Sequence, residues 1–361
     1  MPAGTIGVAF LGVGRMGETH LRNLVGLSGV RVVAIADPNR EAAERGKAIS
    51  SAEVALIDIE KAITHPGVDA VVIVTPTETH ARLIELAVNS GKAVFSEKPI
   101  ALDLAETNRI VRLAQERGAL VQIGFMRRFD PGYAKAKARI EAGELGKLET
   151  FRALSRDTYP PSLNFLKSSG GLFLDTAVHD LDLARFLIGE VEEVQAWGTV
   201  LIDERFSQAG DVDTAMTLLR FQNGVLGVTE TSRRSNWGYD IRTEVAGAIG
   251  KVVVEAPQKT PLLFAREFSS TFDHFENFPD RFEKAYQLQL QSSSRISRRE
   301  KNHRLAPKML SKLCVSPSLS PRAGRKAGRL RFRKSNERSF SSREHDFHGA
   351  SEDRMREDLQ P

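Results

Sequence analysis

The stretch Thr5-Ile6-Gly7-Val8-Ala9-Phe10-Leu11 feeds directly into Gly12-Val13-Gly14-Arg15-Met16-Gly17, and this junction constrains the fold more than any other part of the chain. A short apolar run rich in branched residues and closed by glycine reads as a buried strand. The pattern His20, Leu21, Leu24, Val25 that follows has helical spacing. A strand, then G-x-G-x-x-G, then a helix is the context in which that motif binds a dinucleotide. Gly12 permits the tight turn, Gly14 lets the backbone approach a pyrophosphate, Gly17 allows close strand-helix packing, and the helix start offers free N–H groups to phosphate. Arg15 and Met16, inside the motif, are expected among the cofactor contacts.

The next strand, Val30 to Ala36, ends in Asp37, about twenty residues past the motif, where an acid accepts hydrogen bonds from the adenosine ribose hydroxyls. A carboxylate there repels a 2′-phosphate, which favours NAD over NADP. Arg40 nearby pulls the other way, and Asp37 could instead only open a turn with Pro38 and Asn39. Helices over 41–48 and 58–64 precede a strand over 68–74 that is apolar enough to be buried on both faces. It runs into Thr75-Pro76-Thr77-Glu78-Thr79-His80. Loops at the carboxyl ends of parallel strands are where open α/β sheets bind ligands, so Thr75, Pro76 and Thr77 are expected along the cofactor. His80 is counted with them, although capping the next helix is its plainer role. A helix over 81–90 and the strand Ala93-Val94-Phe95 lead to Glu97-Lys98-Pro99, which puts a lysine where a cofactor on one side meets a substrate on the other.

Composition bounds the class. The chain has 361 residues, 41% hydrophobic, and no charge-free apolar run near twenty, as expected of a globular protein of two domains rather than a membrane protein. Met1-Pro2-Ala3-Gly4 has no basic n-region, and Cys314 is the only cysteine, so the expectation is a cytoplasmic protein without disulfides. Residues 292–361 hold 18 Lys+Arg against 8 Asp+Glu, leaving 33 against 38 in residues 1–291. The net charge of +5 therefore belongs to the tail, and the body is mildly acidic.

Gly12-x-Gly14-x-x-Gly17, Asp37, Thr75-Pro76-Thr77-x-x-His80 and Glu97-Lys98-Pro99, in this order, resemble the glucose-fructose oxidoreductase and inositol dehydrogenase family. Gly124-Phe125-Met126-Arg127-Arg128-Phe129-Asp130-Pro131-Gly132-Tyr133 and Gly170-Gly171-Leu172-Phe173-Leu174-Asp175, followed by His179-Asp180, are similar to its inositol dehydrogenase branch. The resemblance covers roughly residues 5–291. It implies an N-terminal Rossmann domain over 1–124, a doubly wound parallel sheet, and a C-terminal α+β domain over 125–291 with a mainly antiparallel open sheet. It also implies NAD as cofactor, Glu97 and Lys98 beside it, Met126 and Arg127 as substrate contacts, and a homotetramer with no nucleic-acid or membrane partner. The activity implied is oxidation of myo-inositol to its 2-keto product, scyllo-inosose. Another cyclitol or a pyranose sugar would suit the same machinery.

The residues carry the chemistry independently. From Lys147 the pattern becomes alternating strands over 149–155, 193–202, 214–221, 225–231, 243–246 and 252–255, with Asn223-Gly224 as a hairpin turn. Asp175 and His179, four apart, share one face of a helix. Oxidising a secondary alcohol removes the hydroxyl proton as hydride leaves carbon, work suited to neutral His179. Lys98 would stabilise the developing alkoxide, and Asp175 would hold the polyol and tune the histidine. Asp157, Asn164, Lys167 and Tyr239 are weaker pocket candidates, solvated loop residues being the plain alternative. An Arg-Asp pair fixing the hinge is the alternative for Arg128.

After a helix expected over 280–291 the periodicity stops, and residues 292–361, with 13 serines, have the composition of a disordered tail. Codons rebuilt one base out of register let Ser293–Ile296 encode FVAD and Pro307–Leu319 encode PEDALKALRVALA, both family-like, which suggests a shifted reading frame. A basic extension binding nucleic acid is the other reading of this tail, and it lacks interleaved aromatics for stacking. With it goes a non-catalytic, nucleotide-binding reading of the whole chain.

Overall fold

The computed structural model describes residues 5–302 and 330–332, with side chains described over residues 5–294. The first half alternates strand and helix: β1 Ile6–Leu11, α1 Arg15–Val25, β2 Val30–Ala36, α2 Arg40–Ser50, β3 Val54–Leu56, α3 Ile59–Thr64, β4 Ala70–Ile73, α4 Thr77–Asn89, β5 Ala93–Ser96, α5 Leu104–Glu116 and β6 Val121–Ile123. All six strands are parallel, in the order β3-β2-β1-β4-β5-β6. This is the doubly wound Rossmann sheet. The order reverses between β1 and β4, so a crevice opens at the carboxyl ends of those two strands. The sequence pattern overlooked β3, whose three residues are only half-buried at the sheet edge.

Helices cover both faces, which is why β1 and β4 are apolar without alternation. One face carries Leu11, Val33, Val71, Ile73, Ile84 and Ile123; the other carries Ile6, Val8, Phe10, Leu21 and Phe95. The helix starts are capped as their sequences suggest. Asn39 accepts from Glu41 N and Ala42 N, Asp58 from Lys61 N, and Asp103 from Glu106 N.

Beyond β6, a single 3₁₀ turn, Met126–Phe129, leads into the second half: α6 Pro131–Glu141, β7 Leu148–Arg156, α7 Leu163–Ser168, a π-helical turn Phe173–Ala177, α8 Val178–Leu187, β8 Val191–Thr199, α9 Arg205–Gln208, β9 Thr214–Phe221, β10 Leu226–Ser232, β11 Asp240–Gly247, β12 Gly250–Val254, the hairpin β13 Leu263–Arg266 and β14 Ser269–Phe272, α10 Phe278–Arg281, α11 Glu283–Asn302 and β15 Leu330–Phe332. The second sheet runs β12-β11-β7-β10-β9-β8-β15. It is antiparallel except where β10 lies parallel to β7. One face packs on α6, α8 and α11 through Phe151, Leu219, Phe221, Leu183, Leu187 and Phe282. The other presents Trp197, Met216, Leu218 and Leu226 outward.

Two expectations about the C-terminal end change. A single helix over 280–291 is instead a short α10 and a long α11 that runs past Gln291 to Asn302. Its described part packs Tyr286 and Leu290 into buried positions beside α1 and the first sheet, so tertiary contacts sustain it where sequence periodicity fades. Leu330–Phe332 pairs antiparallel with β8. The rest of the tail expected to be disordered lies outside the described residues.

Candidate active site

The glycine motif has the geometry its sequence demands. Gly12 sits at φ +89°, and a Cβ there would stand 2.5 Å from Val74 O. A Cβ on Gly17 would stand 2.1 Å from Gly12 O, whereas one on Gly14 would meet nothing within 4 Å. The first and third glycines therefore serve packing, and the second leaves the open approach a pyrophosphate needs at the start of α1. Asp37 closes this corner by accepting Val13 N at 2.8 Å and Asn39 N at 2.8 Å, one on each carboxylate oxygen. Each oxygen retains capacity for a ribose hydroxyl. The cradle fits NAD. Arg15 is exposed, its guanidinium 5.7 Å over the Phe278 ring, and Met16 packs towards the second core.

At the end of β4, Pro76 and Thr77 open α4, and Thr75 Oγ1 lies 2.6 Å from Thr79 Oγ1. His80, expected beside the cofactor, is 1% exposed. Its two ring nitrogens lie 2.8 Å from Thr75 O and 2.8 Å from Pro99 O. It thus ties the β4 loop to the lysine loop rather than facing the crevice. Glu97 is placed similarly. Its Oε1 lies 2.7 Å from Nε2 of fully buried His20, and its Oε2 accepts Lys98 N at 3.1 Å. Burial works to raise this carboxyl, but the His20 bond and the charges of His20 and Lys98 hold it below its ordinary value. A side chain at Gly124 would put Cβ 2.9 Å from Glu97 Oε1, so this glycine leaves the room the carboxylate occupies. His20 gave no signal in the sequence beyond its place in the helical pattern.

Lys98 leaves β5 and crosses to the second half. Its Nζ donates to Asp175 O at 2.7 Å and Asp175 Oδ1 at 3.0 Å. An ammonium has three N–H groups, so one remains for a substrate oxygen. Asp175 lies in the π-helical turn, a local widening that recurs at functional sites. His179 follows in α8, edge-on to the Phe125 ring with centroids 6.2 Å apart. Its Nδ1 is buried with no hydrogen-bond partner among the described residues, which leaves Nε2 to meet a substrate. Burial, then the positive charges of Lys98 and Arg127, push His179 well below an ordinary histidine, so it is neutral at working pH. Asp175 moves down as well: burial raises it, but Lys98 and Arg233 overcome that and keep it ionised.

Arg233 is the site residue that sequence reasoning passed over. It follows β10, is 2% exposed, and its Nη1 donates to Asp175 Oδ2 at 2.8 Å and Asp157 Oδ2 at 3.0 Å. The Arg233-Arg234 pair at the end of a strand was the available signal. Asp157 is therefore at the site. Asn164 lies exposed on α7, as does Lys167, and no contact joins either to this cluster. Tyr239 is buried against Phe282, ring centroids 6.4 Å apart, and burial raises its hydroxyl.

Met126 and Arg127, expected as substrate contacts, are 2% and 1% exposed. Arg127 Nη1 donates to Asp180 at 2.6 Å and Ser155 Oγ at 3.1 Å, and Arg128 pairs with Asp182 at 2.6 Å. Two adjacent arginines each matched to an acid on α8 fix the crossing between the two sheets. The physical reason is burial: a guanidinium closed off from the crevice has to be neutralised where it stands.

Comparison with known proteins agrees with this geometry. Residues 6–125 match the model of an oxidoreductase family with an NAD-binding Rossmann fold, and residues 133–253 match the GFO/IDH/MocA C-terminal domain. The chain belongs to the GFO/IDH/MocA oxidoreductase family. It is 41% identical to scyllo-inositol 2-dehydrogenase (NAD(+)) of Bacillus subtilis over 78% of this chain and 83% of that one. It is 40% identical to myo-inositol 2-dehydrogenase of Thermotoga maritima, over 72% and 78%. The crystal structure of scyllo-inositol dehydrogenase from Lactobacillus casei, with bound NAD(H) and scyllo-inositol, superposes with TM-score 0.75 at 29% identity over 84% and 92%. As a member of this family the chain is an oxidoreductase with an NAD-binding domain.

Proposed function

We propose that this protein is an NAD-dependent inositol 2-dehydrogenase that oxidises myo-inositol to 2-keto-myo-inositol. The observation that carries the reading is the convergence of Lys98, from the carboxyl end of β5, on Asp175, one turn before neutral His179. NAD, when bound, accepts the hydride. Gly12, Gly14, Gly17 and Asp37 hold it, with Thr75, Pro76 and Thr77 along its nicotinamide side. His179 Nε2 takes the hydroxyl proton as the C–H bond breaks. Lys98 donates its remaining N–H to the oxygen that becomes the carbonyl, and Asp175 orients Lys98.

The site's charge supports a neutral polyol. Lys98 is paired with Asp175, Arg233 with Asp157 and Asp175, Arg127 with Asp180 and Arg128 with Asp182. A sugar acid or sugar phosphate would have to break one of these pairs, whereas hydroxyls need only hydrogen bonds, for which we assign Asp157 and Tyr239 as partners. A second reading, scyllo-inositol as substrate, is favoured by the Bacillus subtilis relative. Both isomers give the same ketone and differ in the face from which hydride leaves. Incubating the protein with NAD and each isomer separately, and comparing kcat/KM, decides between them. Equal inactivity with both, in protein that binds NAD, rejects the inositol assignment.

We place the enzyme in the cytoplasm, as its single cysteine suggests. Among the described residues no helix is long and apolar enough to cross a membrane. We also infer a homotetramer built on the outward face of the second sheet, where Trp197, Met216, Leu218 and Leu226 are 41–59% exposed. Light scattering tests it: a monomer at micromolar concentration rejects this assembly.

A further inference from the structure

We propose that Arg233 is a positioning residue for the reaction: standing between Asp175 and Asp157, it keeps both carboxylates ionised and apart, so that Lys98 stays aligned on Asp175 and His179 alone takes up the substrate proton. This rests on the assignment of Lys98, Asp175 and His179 made above.

A single guanidinium nitrogen, Nη1, reaches both acids, at 2.8 Å and 3.0 Å. The other two, Nε and Nη2, are buried and without partners among the described residues. An arginine so placed is spent on the carboxylates rather than on its own solvation, and its backbone is anchored by Arg233 N donating to Asp213 O at 2.9 Å. The charged groups acting on the cluster are Lys98 on Asp175, Arg127 on Asp157, and Asp211, which Arg233 and Asp175 pull in opposite directions. Tyr239 also faces Asp157. With Arg233 absent, Asp175 and Asp157 would confront each other with Lys98 acting on Asp175 and Arg127 on Asp157. Two facing carboxylates resolve their repulsion by one taking a proton. That proton would weaken the acceptor of Lys98 and place a second titrating group beside His179. Burial already raises Asp157 against the pull of Arg233, whereas Lys98 and Arg233 together hold Asp175 down, so Asp157 is the acid that would take the proton if Arg233 were removed.

The test is the pH dependence of kcat/KM for inositol oxidation in R233M, R233K and the double variant R233M/D157N, with NAD affinity measured alongside. R233M should lose about tenfold or more in kcat, keep its NAD affinity, and shift the acid limb of the profile upward by about one pH unit. R233M/D157N, which removes one charge of each sign, should return the acid limb to its wild-type place and recover kcat, with a raised KM for inositol because Asp157 also faces the polyol. R233K should keep the limb in place. If R233M loses activity with an unmoved profile and the double variant recovers nothing, Arg233 only fills space. If R233M does not fold, the double variant and R233K decide on the same two readouts. Wild-type-like turnover by H179Q would reject the underlying site assignment and leaves a signature distinct from either result.

Discussion

The two halves of this protein build their shares of the active site from different materials. The nucleotide half uses backbone: glycines that make room, a helix start with free N–H groups, and two carbonyls that His80 grips. The substrate half uses charged side chains taken out of water, with Arg127, Asp180, Asp182 and Arg233 all 2% exposed or less. A backbone site recognises a shape that every dinucleotide shares. A lattice of buried ion pairs holds a geometry particular to one reaction, and each member depends on its partner. The first half should therefore fail locally when altered, and the second should fail as a unit.

Replacing His179 by Gln or Lys98 by Met should have the largest effect, a loss of about 10²- to 10⁴-fold in kcat with NAD binding retained, read from NADH formation and a cofactor titration. Cutting the lattice away from the chemistry comes next. R127M leaves Asp180 buried without its cation and should cost about 3–5 kcal/mol of stability, measured by urea unfolding. The double variant R127M/D180L should recover much of it, because an apolar pair carries no desolvation debt. The contrast between glycines is smaller and sharper. G17A should unfold or misfold the loop, since its Cβ would stand 2.1 Å from Gly12 O, whereas G14A, with nothing within 4 Å, should keep its melting temperature and raise KM for NAD.

The smallest effect is on pH. Protonating His179 removes the base, so oxidation falls as pH drops through its pKa. Burial and the neighbouring cations put that pKa below the ordinary 6.5, so the acid limb of kcat/KM should lie below 6.5 and the profile should be flat from there through neutrality. A limb at or above 6.5 would mean that His179 is solvated in the working enzyme.

These halves also differ in what the bare sequence discloses. The motif's glycines, strand and helix are contiguous, so Gly12, Gly17 and Asp37 could be placed from spacing alone, whereas the short edge strand β3 could not. Lys98 and Asp175 were recognisable as chemistry, and the structure brings them to 3.0 Å. The partners of buried charges were not legible, because they come from distant segments: Arg233 and Asp157 are 76 residues apart, and His20 and Glu97 are 77 apart. Periodicity records which face of an element is apolar and is silent about which buried charge meets which. The pairing of Arg127 with Asp180 was hidden for this reason, and α11 read as ending at Gln291 because its continuation is polar.

The most direct test of the assignment is NADH formation by the purified chain with NAD and myo-inositol, with H179Q as control. Saturable turnover that H179Q abolishes is the expected result. A folded protein that binds NAD yet forms no NADH from myo-inositol or scyllo-inositol would contradict it.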